Sequence, residues 1–163
     1  MLFRSGDFNR DGFADILVAA RQADDPNQAL VDSGSVYLLF GKANGFAASI
    51  SLSSLDGVNG FRMSGLANDF FAGVSAQAAG DMNGDGFGDI VVGGVVGLPG
   101  TVAARGAAFV VFGRAGAVPN PLQLDTLDGF NGFRVNGQNI DDLLGFSVGS
   151  IGDFNRDRSE EHT

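Results

Sequence analysis

Apolar positions along this chain come in short runs, not in helical stripes. Ile90-Val-Val, Ala107-Ala-Phe-Val-Val-Phe and Phe133-Arg-Val are rich in β-branched and aromatic residues and are bounded by Gly, Asn, Asp and Pro, the marks of short strands between turns. No stretch keeps a 3.6-residue apolar period for three turns, so helices should be few. Within one stretch the pattern predicts four strands, around 73–79, 89–95, 107–112 and 132–136.

The pattern also repeats. Gly6-Asp7-Phe8-Asn9-Arg10-Asp11-Gly12-Phe13-Ala14-Asp15 returns as Gly80-Asp81-Met82-Asn83-Gly84-Asp85-Gly86-Phe87-Gly88-Asp89, and begins again at Gly152-Asp153-Phe154-Asn155-Arg156-Asp157, with spacings of 74 and 72. The strand Gly34-Ser-Val-Tyr-Leu-Leu-Phe-Gly41 matches Gly106-Ala-Ala-Phe-Val-Val-Phe-Gly113 at an offset of 72, as Leu55-Asp-Gly-Val-Asn-Gly-Phe-Arg matches Leu127-Asp-Gly-Phe-Asn-Gly-Phe-Arg. The two extra residues of the first spacing fall between Asp15 and Gly34, where a surface loop absorbs them. Phe40, Phe61, Phe112 and Phe133 recur in register and are expected to pack in the core between units. Four short antiparallel strands at a fixed period suggest propeller blades, which bury their faces only against neighbouring blades. A WD40 propeller is disfavoured, because its period is about 40–45 residues and its signature needs a tryptophan.

The repeated acidic loop carries the chemistry. Its pattern, Asp-x-Asn-x-Asp-Gly-Phe-x-Asp, places oxygen side chains at positions 1, 3, 5 and 9: Asp7, Asn9, Asp11 and Asp15 in the first copy, Asp81, Asn83, Asp85 and Asp89 in the second. Alternate residues of a tightly curled backbone point inward, and Gly12 and Gly86 permit the turn. Phe13 and Phe87 can offer only their backbone carbonyls, with the rings expected to pack under the loop. This donor set suits calcium, which takes roughly six to eight oxygens at flexible geometry; magnesium demands a stricter octahedron. Transition metals recruit His or Cys, and the chain has one His and no Cys. An EF-hand would need Glu at position 12, where Val18 and Val92 stand inside β-branched apolar runs. The loops therefore read as connections between strands. The alternative is an Asp/Asn/Gly-rich hairpin turn that holds no metal.

Composition narrows the partners. A formal charge of −9 and a single lysine, Lys42, argue against nucleic acid, whose phosphates need clustered cations. The absence of cysteine excludes disulfides, and 44% hydrophobic residues supply a core. No apolar run approaches the roughly 20 residues of a membrane span. Eight of the 19 acids lie in the repeated loops, so much of the acidity is concentrated there. Gly145-Phe-Ser-Val-Gly149 fits a nucleophile elbow, which needs a strand–turn–helix setting and a catalytic histidine. Its counterpart at Gly73-Val-Ser75 marks it as repeat scaffold, and no catalytic constellation is expected.

With Gly80 to Asp89 followed by Ile90-Val-Val-Gly-Gly, the Val-Val-Phe-Gly113 strand end and the Asn-Gly-Phe-Arg segments at Asn59 and Asn131, the chain resembles the FG-GAP repeat of the integrin α-subunit β-propeller, especially its bacterial relatives. The resemblance covers residues 6–157. It implies an all-β, partial β-propeller of about 72-residue four-stranded blades, with calcium-binding hairpin loops between the first and second strands. The family's ligand positions map onto the residues named above and onto Asp153, Asn155 and Asp157 of the third copy. The Gly-Ala-Pro that often follows the calcium strand is replaced by Ala19-Ala20-Arg21 and Gly93-Gly94-Val95.

Residues 1–79 then form an incomplete blade, expected to lack its opening strand, plus the first strand of the next; 80–151 the second repeat; and 152–157 the start of a third loop. The tail 158–163 reads as non-native, like a translated sequencing adapter. A seven-bladed ring would need roughly 500 residues, so a fragment of a larger propeller is expected. The resemblance implies a calcium-binding, non-catalytic adhesion or interaction scaffold, extracellular or on the cell surface, taking a protein or carbohydrate ligand at its loops. The rival is an accessory propeller of a secreted phospholipase or polysaccharide-degrading hydrolase whose catalytic part lies elsewhere. A third possibility is structural repetition alone.

Overall fold

The computed structural model describes residues 3–4, 6–25, 29–95, 106–139 and 142–150. Its regular elements are nine strands and two three-residue 3₁₀ turns, with no α-helix among the described residues. The first sheet contains β1 (Phe3–Arg4), β2 (Ile16–Ala20), β3 (Ser35–Leu39) and β4 (Gly60–Ser64), each antiparallel to the next. The second contains β5 (Ser75–Gly80), β6 (Asp89–Gly94), β7 (Ala107–Val111) and β9 (Gly132–Asn136), paired in the same way. Between β7 and β9 the chain reaches back, and β8 (Leu122–Gln123) adds in parallel to the outer edge of β4.

The four strands read from the sequence in the second unit are those of this sheet. The opening strand starts later than expected, at Ser75, because Gly73 has φ +85 and belongs to the preceding turn. The first sheet also carries an opening strand where none was expected. Phe3 pairs with Leu17 as Gln77 pairs with Val91, so β1 is a two-residue counterpart of β5. β8 lacked any pattern of its own, since two residues cannot show alternation.

Strand alternation sets two faces on each sheet, and one core joins the sheets. Leu17, Val36, Leu38, Phe61 and Met63 of the first sheet pack with Ala76, Ile90, Val92, Ala107, Phe109 and Val111 of the second. The repeat offset shows that these are not equivalent faces. Val36, Phe61 and Met63 correspond to Ala108, Phe133 and Val135, on the opposite side of the second sheet. The sheets therefore stack in one direction, front to back. Phe61 is fully buried while Phe133 is 36% exposed. The expectation that all four repeated phenylalanines lie in the core is corrected for Phe133, whose face has no neighbouring sheet among the described residues, and for Phe112, which is half-buried outside that core with its ring against Phe133.

Candidate functional site: the paired acidic loops

The first acidic loop joins β1 to β2 and the second joins β5 to β6. Both curl around their first aspartate. Asp7 accepts the N–H of Asp11 at 2.9 Å and of Gly12 at 2.8 Å, as Asp81 accepts those of Asp85 at 3.0 Å and Gly86 at 2.8 Å. The third position joins the same knot: Asn9 Oδ1 lies 3.2 Å from Asp11 N, and Asn83 Oδ1 lies 3.1 Å from Asp85 N. Asn9 Nδ2 also donates to Asp11 Oδ2, and Asn83 Nδ2 to Asp85 Oδ2. Asp11 and Asp85 each accept the N–H of the following phenylalanine at 2.9 Å. The turn requires φ +86 at both Gly12 and Gly86, a left-handed conformation that a Cβ disfavours.

The ninth-position aspartates are buried, with Asp15 1% and Asp89 0% exposed. Asp15 accepts Phe8 N at 2.7 Å and Gly41 N at 2.8 Å; Asp89 accepts Met82 N at 2.7 Å and Gly113 N at 2.8 Å. Burial pushes both carboxyls up, to about 6; the amide donors oppose that shift, and the neighbouring aspartates of each loop add to it. Neither carboxylate has a cationic partner among the described residues, where the ion pair within reach is Arg62–Asp25 at 3.2 Å.

The two loops also touch. Gly88 N donates to the carbonyl of Asp7 at 2.9 Å, Arg114 N donates to that of Phe8 at 2.9 Å, and the Arg10 guanidinium sits 5.8 Å from the Phe87 ring centre. They therefore form a pair on one edge of the stacked sheets.

The donors suit a hard dication in kind: carboxylates, a side-chain amide and a backbone carbonyl, with no soft ligand. Each carboxylate oxygen that accepts one amide retains a further acceptor site. As the loops stand, however, no group of three or more acidic side chains converges on one point among the described residues. The carboxylates are turned to backbone amides. The fit is thus one of donor chemistry and loop curl, with side-chain adjustment needed to close a coordination sphere.

Phe13 departs from its expected place. Its ring is 40% exposed instead of packed beneath the loop. The ring under the loop belongs to Phe8, at the second position, which is fully buried and lies 5.3 Å from Phe61 and 6.1 Å from Phe40. Phe8 was not singled out in the sequence, and its counterpart Met82 is 48% exposed. Asp153, Asn155, Asp157 and the 158–163 tail lie outside the described residues.

A second repeated motif acquires a structural role. Asp56 accepts the amides of Val58 at 2.9 Å and Asn59 at 3.0 Å, while Asn59 Nδ2 donates to the Ser54 carbonyl at 3.0 Å. Asp128, Phe130, Asn131 and Thr126 repeat the arrangement. These amides hold both carboxyls below the usual aspartate range, and the motif is a self-closing turn before the fourth strand.

Among the described residues no helix is long and apolar enough to cross a membrane. No curated protein matches the chain. The family model described as the FG-GAP repeat matches residues 3–39, the stretch from β1 through the first acidic loop to the end of β3, and the internal offset carries the same pattern into the second sheet. The chain carries an FG-GAP repeat over residues 3–39.

Proposed function

We propose that the two acidic loops bind calcium and that the stacked sheets are blades of an integrin-type propeller serving as a non-catalytic interaction scaffold outside the cell or at its surface. The observation that carries the cation reading is the pair of buried carboxylates, Asp15 and Asp89, each without a cationic partner among the described residues and at the base of a loop bearing two further aspartates. Like charges gathered this closely, with one partly desolvated, favour a bound dication.

Asp7, Asn9, Asp11, the Phe13 carbonyl and Asp15 would hold one ion, and Asp81, Asn83, Asp85, the Phe87 carbonyl and Asp89 the other. A bound ion would supply charge neutralisation and cross-link each hairpin. The loops would then present a rigid edge to a protein or carbohydrate ligand. Repeats of this family are typical of extracellular and cell-surface proteins, where calcium at about 0.1–1 mM fills weak sites.

Isothermal titration of the chelator-treated chain is the test. Two equivalents of calcium should bind, magnesium should bind more weakly, and Asp85→Ala should remove one equivalent while leaving the first loop's. Equal heats from both ions, or unchanged stoichiometry in the variant, would overturn the reading.

A further inference from the structure

The fourth position of the acidic loop differs between the two copies. It is Gly84 in the second, at φ +73, and Arg10 in the first, at φ +59. A non-glycine residue held in the left-handed region stores strain, and such strain gathers at functional positions. Glycine at the equivalent position shows that the turn itself does not call for an arginine. What the first loop gains is reach. The Arg10 side chain crosses to the next unit and lies over the second loop, 5.8 Å from the Phe87 ring centre and against Gly86, where a Cβ would come within 2.8 Å of its Nη1.

The crossing brings a positive charge to a set of negative ones. Arg10, Asp7, Asp81 and Asp85 line one cleft between the loops, and no ion pair joins Arg10 to a carboxylate among the described residues. The guanidinium therefore acts on the second loop through space and does not occupy its donors. Both loops belong to consecutive units whose contact is already made, by Gly88 N on the Asp7 carbonyl and Arg114 N on that of Phe8, so the crossing does not depend on what lies beyond either unit. Two effects on an ion in the second loop oppose one another. Packing on Gly86 and Phe87 steadies the turn, but a cation–π contact of an exposed arginine is weak and is made whether or not an ion is present. The charge attracts Asp81 and Asp85 when the loop is empty and repels a dication when it is filled. It is felt twice over by a double charge, so repulsion wins.

We propose that Arg10 is the resident counter-charge of the empty second loop and determines how weakly that loop holds calcium. This rests on the calcium reading of the loops and adds to it a residue from outside the second loop's own ligand set. Without an ion, Arg10 offsets the repulsion between Asp81 and Asp85. With an ion, the same guanidinium opposes the dication, so the second loop fills at a higher calcium concentration than its own residues would dictate. The first unit thereby tunes the site of the second.

Calcium titration of the full chain, followed through the amide resonances of Gly12 and Gly86, reads the two loops separately, with circular dichroism verifying the fold of each variant. At low ionic strength Arg10→Gln should lower the Gly86 midpoint about fivefold. The gain should shrink at about 1 M salt, where the Debye length is about 3 Å. Arg10→Lys keeps the charge without the planar guanidinium and should stay within about twofold of wild type. In chelator Arg10→Gln should melt below Arg10→Lys, because the empty loop has lost its counter-charge. An unchanged or higher Gly86 midpoint in Arg10→Gln, a gain that persists at high salt, an equal gain in Arg10→Lys, or equal melting of the two variants overturns this proposal and leaves calcium binding standing. Failure of both glycines to shift with calcium overturns the calcium reading itself, and this inference with it.

Discussion

Phe8 and Asp15 join the acidic loop to the core: the amide of Phe8 donates to Asp15 Oδ2 at 2.7 Å while its ring is fully buried between the sheets. The loop is therefore held from below by packing and closed on itself by a buried carboxylate. Truncating the ring should disturb both. Phe8→Ala is expected to cost about 3–5 kcal/mol, the usual range for emptying a buried phenylalanine site. Denaturant unfolding in chelator would show it. A change within experimental error would mean that the ring carries little of the inter-sheet core.

Gly113 is fixed by proximity. A Cβ there would lie 2.5 Å from the Gly88 carbonyl oxygen and 2.8 Å from that of Phe8, backbone atoms of two different loops. Gly113→Ala is expected to destabilise the chain by about 1–3 kcal/mol through overpacking and to lower the Tm accordingly. An unchanged Tm would show that the two loops can separate without cost.

Asn120 holds the strap of the second unit, the segment that carries β8, on the first sheet. Asn120→Ala leaves the amide of Arg62 and the carbonyl of Leu55 without this partner. A loss of about 0.5–1.5 kcal/mol per hydrogen bond is expected, because Asn120 is exposed and water can replace part of what it supplies. Hydrogen exchange at the Arg62 amide should accelerate in the variant, and protection at the wild-type level would count against the clamp.

The pH dependence of the cation-free chain follows from two opposed pairs. Asp15 and Asp89 move from 3.8 in an unfolded reference to about 6 in the fold, so between these values the folded state holds protons that the unfolded chain has lost. Their contribution to stability is full below 3.8 and is lost as pH rises through about 6. Asp56 and Asp128, held low by amide donors, act the other way: what they contribute is present above 3.8 and is lost on further acidification. In chelator the Tm should fall between pH 4.5 and about 6.5, the window that contains the raised values. On the proposed reading, calcium affinity should rise over the same interval as protons cease to compete. A Tm that climbs from pH 4.5 to about 6.5 in chelator would contradict the assignment of the shifts.

The sequence by itself determined the repeat, the strands of the second unit and the curl of the acidic loops. These depend on local chemistry: alternation along a strand, and carboxylates placed two and four residues from the amides they accept. It also located the Phe-Gly pairs at Gly41 and Gly113, though not the reason for them. That reason is tertiary, since each glycine closes on a loop more than twenty residues earlier in the chain. Only the stacked sheets decided which phenylalanines are buried. Phe61 and Phe133 have the same local sequence, yet one is sealed by a neighbouring sheet and the other is not. The strap is the clearest case. Leu122 and Ile50 occupy equivalent positions, and the difference in their exposure comes from whether an outer strand edge is present to receive them. Local pattern specifies the unit. Burial is a property of what lies against it, and no single unit encodes that.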